Sequence, residues 1–122
     1  MSGIIYNRQS KKEVMQTILV EKNIEQTKRD QLNVAQWPTW KKEVSAFPWE
    51  FPEQEVAYIV EGECVITPEG GKPVKFGKGD LVTFPAGLKA QWEVKKPLHK
   101  HYKLDGNALT QVLRRIKIKL GF

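Results

Sequence analysis

The two histidines of this sequence, His99 and His101, stand two residues apart. On a β-strand that spacing puts both imidazoles on one face, the arrangement of a metal pair, and Glu55 is the carboxylate that would complete a three-ligand site. The favoured reading is plainer: His101 is a core or rim histidine, with a pocket role as the next alternative. Cys64 is the only cysteine, so neither an internal disulfide nor a two-cysteine metal site can form. It reads as a small buried apolar residue in a reducing compartment, and the expected localisation is cytoplasmic. Arg114, Arg115, Lys117 and Lys119 form the densest basic cluster. Set among apolar residues, such a segment can lie on anionic lipid or on phosphates. The favoured alternative is a solvated face packed on the main domain or on a second subunit, which leaves a homodimer open.

Charge must be weighed by where it lies. The formal net charge is +6 over 122 residues, and 40% of the residues are hydrophobic, which fits one folded domain. Residues 37–104 carry 10 basic and 9 acidic side chains, whereas residues 105–122 carry 4 and 1. The near-neutral middle also holds all 7 prolines and 10 of the 12 aromatic residues, so it is the folded, turn-rich part of the chain. The expected partners therefore include neither nucleic acid nor membrane. No apolar run approaches the ~20 residues of a membrane span, and Met1 to Gln16 lacks the apolar stretch of a secretory signal.

The elements that must position these groups follow from periodicity. Residues 1–14 have no apolar period and are expected to be a mobile leader. Thr17 to Val20 suits a strand, and Asn23 is expected to cap a short helix running to about Leu32 that covers the surface. From Trp37 the pattern is that of an antiparallel sheet. Glu55 to Val60 is a strand, Glu61-Gly62-Glu63 a tight turn, and Cys64 to Thr67 the returning strand of a hairpin. Pro68-Glu69-Gly70-Gly71 and Gly77-Lys78-Gly79-Asp80 are turns flanking a strand with Val74 and Phe76 on one face. Leu81 to Phe84, Ala90 to Val94 and Lys100 to Leu104 complete the strands. This is an all-β domain, a sandwich or closed barrel over residues 15–104, with a basic extension at 105–122. The extension is expected to turn from helix to strand.

The spacing of the punctuation resembles the cupin superfamily. Glu55 followed seven residues later by Gly62, then Gly79, Pro85 and Gly87, match parts of its two motifs. Trp37-Pro38-Thr39-Trp40, Phe47-Pro48-Trp49, Gly79 to Leu88 and Lys100-His101-Tyr102 look like the small single-domain cupins grouped with ureidoglycine aminohydrolase and ethanolamine-utilisation proteins. The resemblance implies a single antiparallel jelly-roll β-barrel. It also implies a metal site of three histidines and one glutamate, suited to a divalent transition ion. Those histidine positions fall here on Trp49, Phe51 and Ala90, so only Glu55 remains of the four. No cofactor and no metal are expected.

Side-chain alternation places Ala90, Trp92 and Val94 inward on one strand, and Glu55, Ala57 and Ile59 inward on another. The barrel mouth then becomes an aromatic cup holding one carboxylate, with Trp49, Phe51, Glu55, Tyr58, Ala90, Trp92 and His101 as candidate ligand-binding residues. Glu55 is a desolvated acid, base or hydrogen-bond anchor, a structural group satisfied by His101, Lys100 or Tyr58, or, if the strand register differs, a surface residue. Alternatively the aromatic rings fill the interior and leave no cavity. Three functions stay open: a metal-independent module binding a small polar metabolite, an enzyme acting on a nitrogenous metabolite with Glu55 and His101 as acid and base, and an accessory or assembly protein.

Overall fold

The computed structural model describes residues 17–104. Seven strands are present: β1 (Leu19–Glu21), β2 (Thr39–Lys42), β3 (Ser45–Glu50), β4 (Glu55–Pro68), β5 (Val74–Gly77), β6 (Leu81–Phe84) and β7 (Lys89–Leu104). A helix α1 (Gln26–Leu32) and a 3-10 turn (Val34–Gln36) lie between β1 and β2. All pairings are antiparallel, in the order β1-β6-β4-β7-β2, with β3 also on β7 and β5 also on β4. The hydrogen-bonded path is open, yet the sheet curls on itself. Phe84 of β6 lies 5.5 Å from Trp92 of β7, ring to ring, although β4 runs between their strands. Two strand spacings of a flat sheet would hold them about 9 to 10 Å apart. This is the all-β jelly-roll architecture that the cupin resemblance implies. The expected leader at 1–14 and the extension at 105–122 lie outside the described residues, apart from which no helix is long and apolar enough to cross a membrane.

Two expectations about strand ends are corrected. Glu61-Gly62-Glu63 is not a hairpin turn: β4 continues through it for 14 residues, with β7 as its partner on both sides. Gly62, at φ +114°, is a bend within the strand, and register shifts between Ile59 and Cys64 mark it as bulged. A Cβ there would stand 2.6 Å from the Pro97 carbonyl oxygen, so only glycine lets the two strands cross so closely. The bend also changes the phase of the strand. Ala57 and Ile59 are buried before it, Cys64 and Ile66 after it. Likewise β7 does not stop after Val94 but runs on to Leu104, 16 residues in all. Pro97 is accommodated because it falls inside the bulged region, where it has no register partner and its missing N–H removes no ladder bond.

The helix also begins differently. Its N-cap is Glu25, with no side-chain cap bond, while Asn23 sits in a left-handed conformation at φ 45°. The Asn23 side chain is therefore not the cap. Its backbone N–H instead donates to Asp80 Oδ1 at 3.1 Å. None of the helix residues is buried, as a surface cover requires.

Asp80 ties the first part of the chain to the β5-β6 turn. Its carboxylate also accepts from the Gly77 N–H and from Lys22 Nζ, each at 2.9 Å. Burial alone would raise its pKa, but these hydrogen bonds and the Lys22 charge outweigh burial and hold the carboxyl below its ordinary value. A depressed carboxyl stabilises the fold above its unfolded-state pKa, and that contribution is lost as pH falls through the lower folded-state value. Asp80→Asn is expected to cost about 1–3 kcal/mol at pH 7 by leaving buried donors poorly matched. Its urea midpoint should approach that of the wild type as pH falls below about 4. A deficit that is the same at pH 7 and pH 3 would show that the charge contributes nothing.

Candidate functional site

The core of the barrel is an aromatic stack. Phe51, 1% exposed, stacks on Phe84 at 4.6 Å, and Trp92 meets Phe84, Phe76, Phe47 and Phe51 at 5.5, 5.7, 6.0 and 6.3 Å. Burying each such ring contributes on the order of 1.5–3 kcal/mol, so this cluster fixes the curvature of the sheet. The Trp92 indole Nε1 is the one buried side-chain polar atom without a hydrogen-bond partner among the described residues.

The rings do not fill the interior. Beside them opens a cavity of about 540 Å³ whose walls include Trp40, Phe47, Trp49, Phe51, Trp92 and Tyr102. Four charged residues stand among these walls, Lys42, Glu53, Glu55 and Lys100, and the last two are joined to each other. Lys100 Nζ donates to Glu55 Oε2 at 2.5 Å, and the two side chains are 7% and 11% exposed. The ammonium also lies over three rings, 5.0 Å from Trp40, 5.3 Å from Trp92 and 5.9 Å from Tyr102. Such contacts are worth about 2 kcal/mol or more where a cation is desolvated, which offsets part of the loss of water around it. Alternation explains the arrangement. Trp92, Val94, Leu98 and Lys100 are all buried on one face of β7, and Trp40 is the register partner of Lys100 on β2.

The structure brings together four of the seven candidate residues: Trp49, Phe51, Glu55 and Trp92 all line the cavity. Trp49 stands at its mouth, 49% exposed, so it is a rim residue and not part of the packed interior. Ala90, the register partner of Trp49, is buried and lines a neighbouring groove. Tyr58 and His101 are register partners of each other on the opposite face of the sheet. The Tyr58 ring packs under the Arg29 guanidinium at 5.3 Å, and His101 Nδ1–H donates to the Trp37 carbonyl at 3.0 Å. His101 is thus separated from Glu55 by the sheet, and an acid-base pair of the two is not assembled. The set His99, His101 and Glu55 is not assembled either, and no cluster of metal-ligating side chains occurs among the described residues.

Lys100 was legible only as one of three candidates to satisfy Glu55, and Trp40, Phe47 and Tyr102 carried no role as cavity walls. The signal that finds them is the even-numbered alternation of Trp92 carried on through Pro97. Cys64 is buried, and burial pushes its thiol up to about 12, with the Lys100 charge offsetting only part of the rise. It is no nucleophile at neutral pH.

The metal set that the cupin resemblance implies does not fit these residues. An indole at Trp49, a phenyl ring at Phe51 and a methyl group at Ala90 have no lone pair to donate, and the remaining carboxylate, Glu55, is held by Lys100.

Comparison with known proteins places this geometry. A family model described as the EutQ-like cupin domain matches residues 29–102. Among solved structures, a DUF861 family protein from Thermotoga maritima is similar at 44% identity and a TM-score of 0.71, over 73% of this chain and 100% of that one. A DUF1255 protein of unknown function from Acidithiobacillus ferrooxidans shares the fold at 19% identity and a TM-score of 0.50, over 52% of this chain and 60% of that one. The EutQ protein of Clostridium difficile aligns at 25% identity and a TM-score of 0.49, over 52% of this chain and 50% of that one. No curated protein matches.

The ion pair makes a specific prediction about stability. Removing one partner strands a buried charge, so Lys100→Met or Glu55→Gln alone is expected to destabilise the fold, with Lys100→Met costing about 3–5 kcal/mol. The double variant Glu55→Gln/Lys100→Met should recover much of that loss. A denaturant double-mutant cycle with no coupling between the two sites would disprove the interaction.

Proposed function

Because the chain belongs to the EutQ-like cupin domain family, we propose that its barrel works as a metal-independent binding module for a small polar molecule held in the aromatic cavity. The observation that carries this reading is the Glu55–Lys100 pair on the cavity wall. A pair needed only for packing would be replaced at little loss by apolar side chains of similar volume. Set at the wall of an open apolar cavity, it instead supplies the few placed polar groups that orient a ligand. The cavity volume lies within the range of small-molecule sites, and the aromatic walls supply contact area at low conformational cost.

The test is a thermal-shift screen against small polar metabolites, run in parallel on the wild type and on Glu55→Gln/Lys100→Met. At least one compound is expected to raise the wild-type Tm, because a ligand bound only by the folded state stabilises it by mass action. The shift should be lost in the double variant. Equal shifts in both proteins would remove the pair from the reading. Elemental analysis of the purified protein is expected to find no stoichiometric transition metal, and one iron, zinc or manganese per chain would overturn the metal-independent assignment.

A further inference from the structure

The geometry points to a ligand class for this cavity: a planar ring bearing an amide or lactam edge, with an N–H donor beside a C=O acceptor. The inference rests on the binding reading above and deepens it. Glu55 presents an acceptor and Lys100 a donor, side by side at 2.5 Å. An N–H and an adjacent C=O stand at a comparable separation, so one amide edge meets both groups at once, N–H to the carboxylate and C=O to the ammonium. Both are charge-assisted hydrogen bonds, roughly twice as strong as neutral ones. Only one hydrogen bond joins the pair, through Oε2, which leaves Oε1 and two ammonium hydrogens for a ligand.

The charges of the wall balance, Glu53 and Glu55 against Lys42 and Lys100, so they favour neither a simple anion nor a simple cation. A simple anion would meet Lys100 but be repelled by Glu55, and a simple cation the reverse. A neutral molecule that carries both polarities has no such conflict. The remainder of the ligand must match the walls. Trp40 and Trp92 flank the ammonium, Phe51 forms the floor and Trp49 the rim, so what lies behind the amide edge is flat and aromatic. Offset or edge-on packing of a ring against these faces adds to the area it buries.

The experiment uses the wild-type protein and a series of probes of similar size, read by quenching of tryptophan fluorescence and by chemical-shift titration. Benzamide and uracil carry the whole edge. Acetophenone has the acceptor alone, aniline the donor alone, toluene neither, and propionamide has the edge without the ring. Benzamide and uracil are expected to bind at least about ten-fold more tightly than the other four, the equivalent of one hydrogen bond to a charged group. In Glu55→Gln/Lys100→Met the advantage of benzamide and uracil over toluene should disappear. Uniform affinities across the series, or propionamide equal to benzamide, would overturn the ligand class. If these probes fail but a non-aromatic metabolite gives a shift that depends on Lys100, this inference falls and the binding module stands. If neither these probes nor the metabolite screen gives saturable binding, both fall.

Discussion

The pairing of β4 with β7 is the constraint on which the other elements depend. Every other strand except β1 hydrogen-bonds to one of these two, and β1 reaches them through β6. Strands of 14 and 16 residues are too long to stay flat over a small core, and the register shifts near Gly62 and Pro97 let both bend together. The bend is a matched pair. Gly62 has no Cβ to strike the Pro97 carbonyl, and Pro97 has no N–H that the ladder would miss. On one side of it the strands present Glu55, Ala57, Ile59 and Lys100 to the interior, and on the other Cys64, Ile66, Trp92 and Val94. The cavity is lined from both sides.

The inward set of Ala57, Ile59, Trp92 and Val94 was legible in the sequence because side chains alternate along a strand, and a short run fixes the phase. The all-β class was legible from short strands set between glycine and proline turns, and the jelly-roll arrangement was implied by the cupin resemblance. The continuity of the long strands was not. Glu61-Gly62-Glu63 has the composition of a hairpin turn, and Pro97 that of a strand break. Only the presence of a partner strand alongside distinguishes a bulge from a turn, and that is a long-range fact. Treating Ala90 to Val94 and Lys100 to Leu104 as separate strands left the shared inward phase of Trp92, Lys100 and Tyr102 unread. Tyr58 and His101 were also candidates for the cup, but Tyr58 at an even position of β4 and His101 at an odd position of β7 fall on the outer face. Asn23 was read as a helix cap from its residue type, whereas the Asp80 carboxylate captures its backbone first.

The site is an electrostatic compromise. A carboxylate alone in this aromatic wall would be costly, and the ammonium that offsets it is itself desolvated. Three ring faces around Lys100 supply part of what water no longer does. The two charges and the rings are therefore one unit, and changing any member alters the environment of the others. The same ammonium reaches Cys64, whose thiol it pulls slightly back against the effect of burial.

A cation tethered by four methylenes to the backbone differs in kind from one that arrives by diffusion. Its occupancy follows no binding isotherm, no chelator can strip it, and scarcity of a trace element cannot empty it. It also has no change of oxidation state available. The positive charge that Lys100 brings to the cavity wall is consequently in place as soon as the chain has folded, in every molecule of the population.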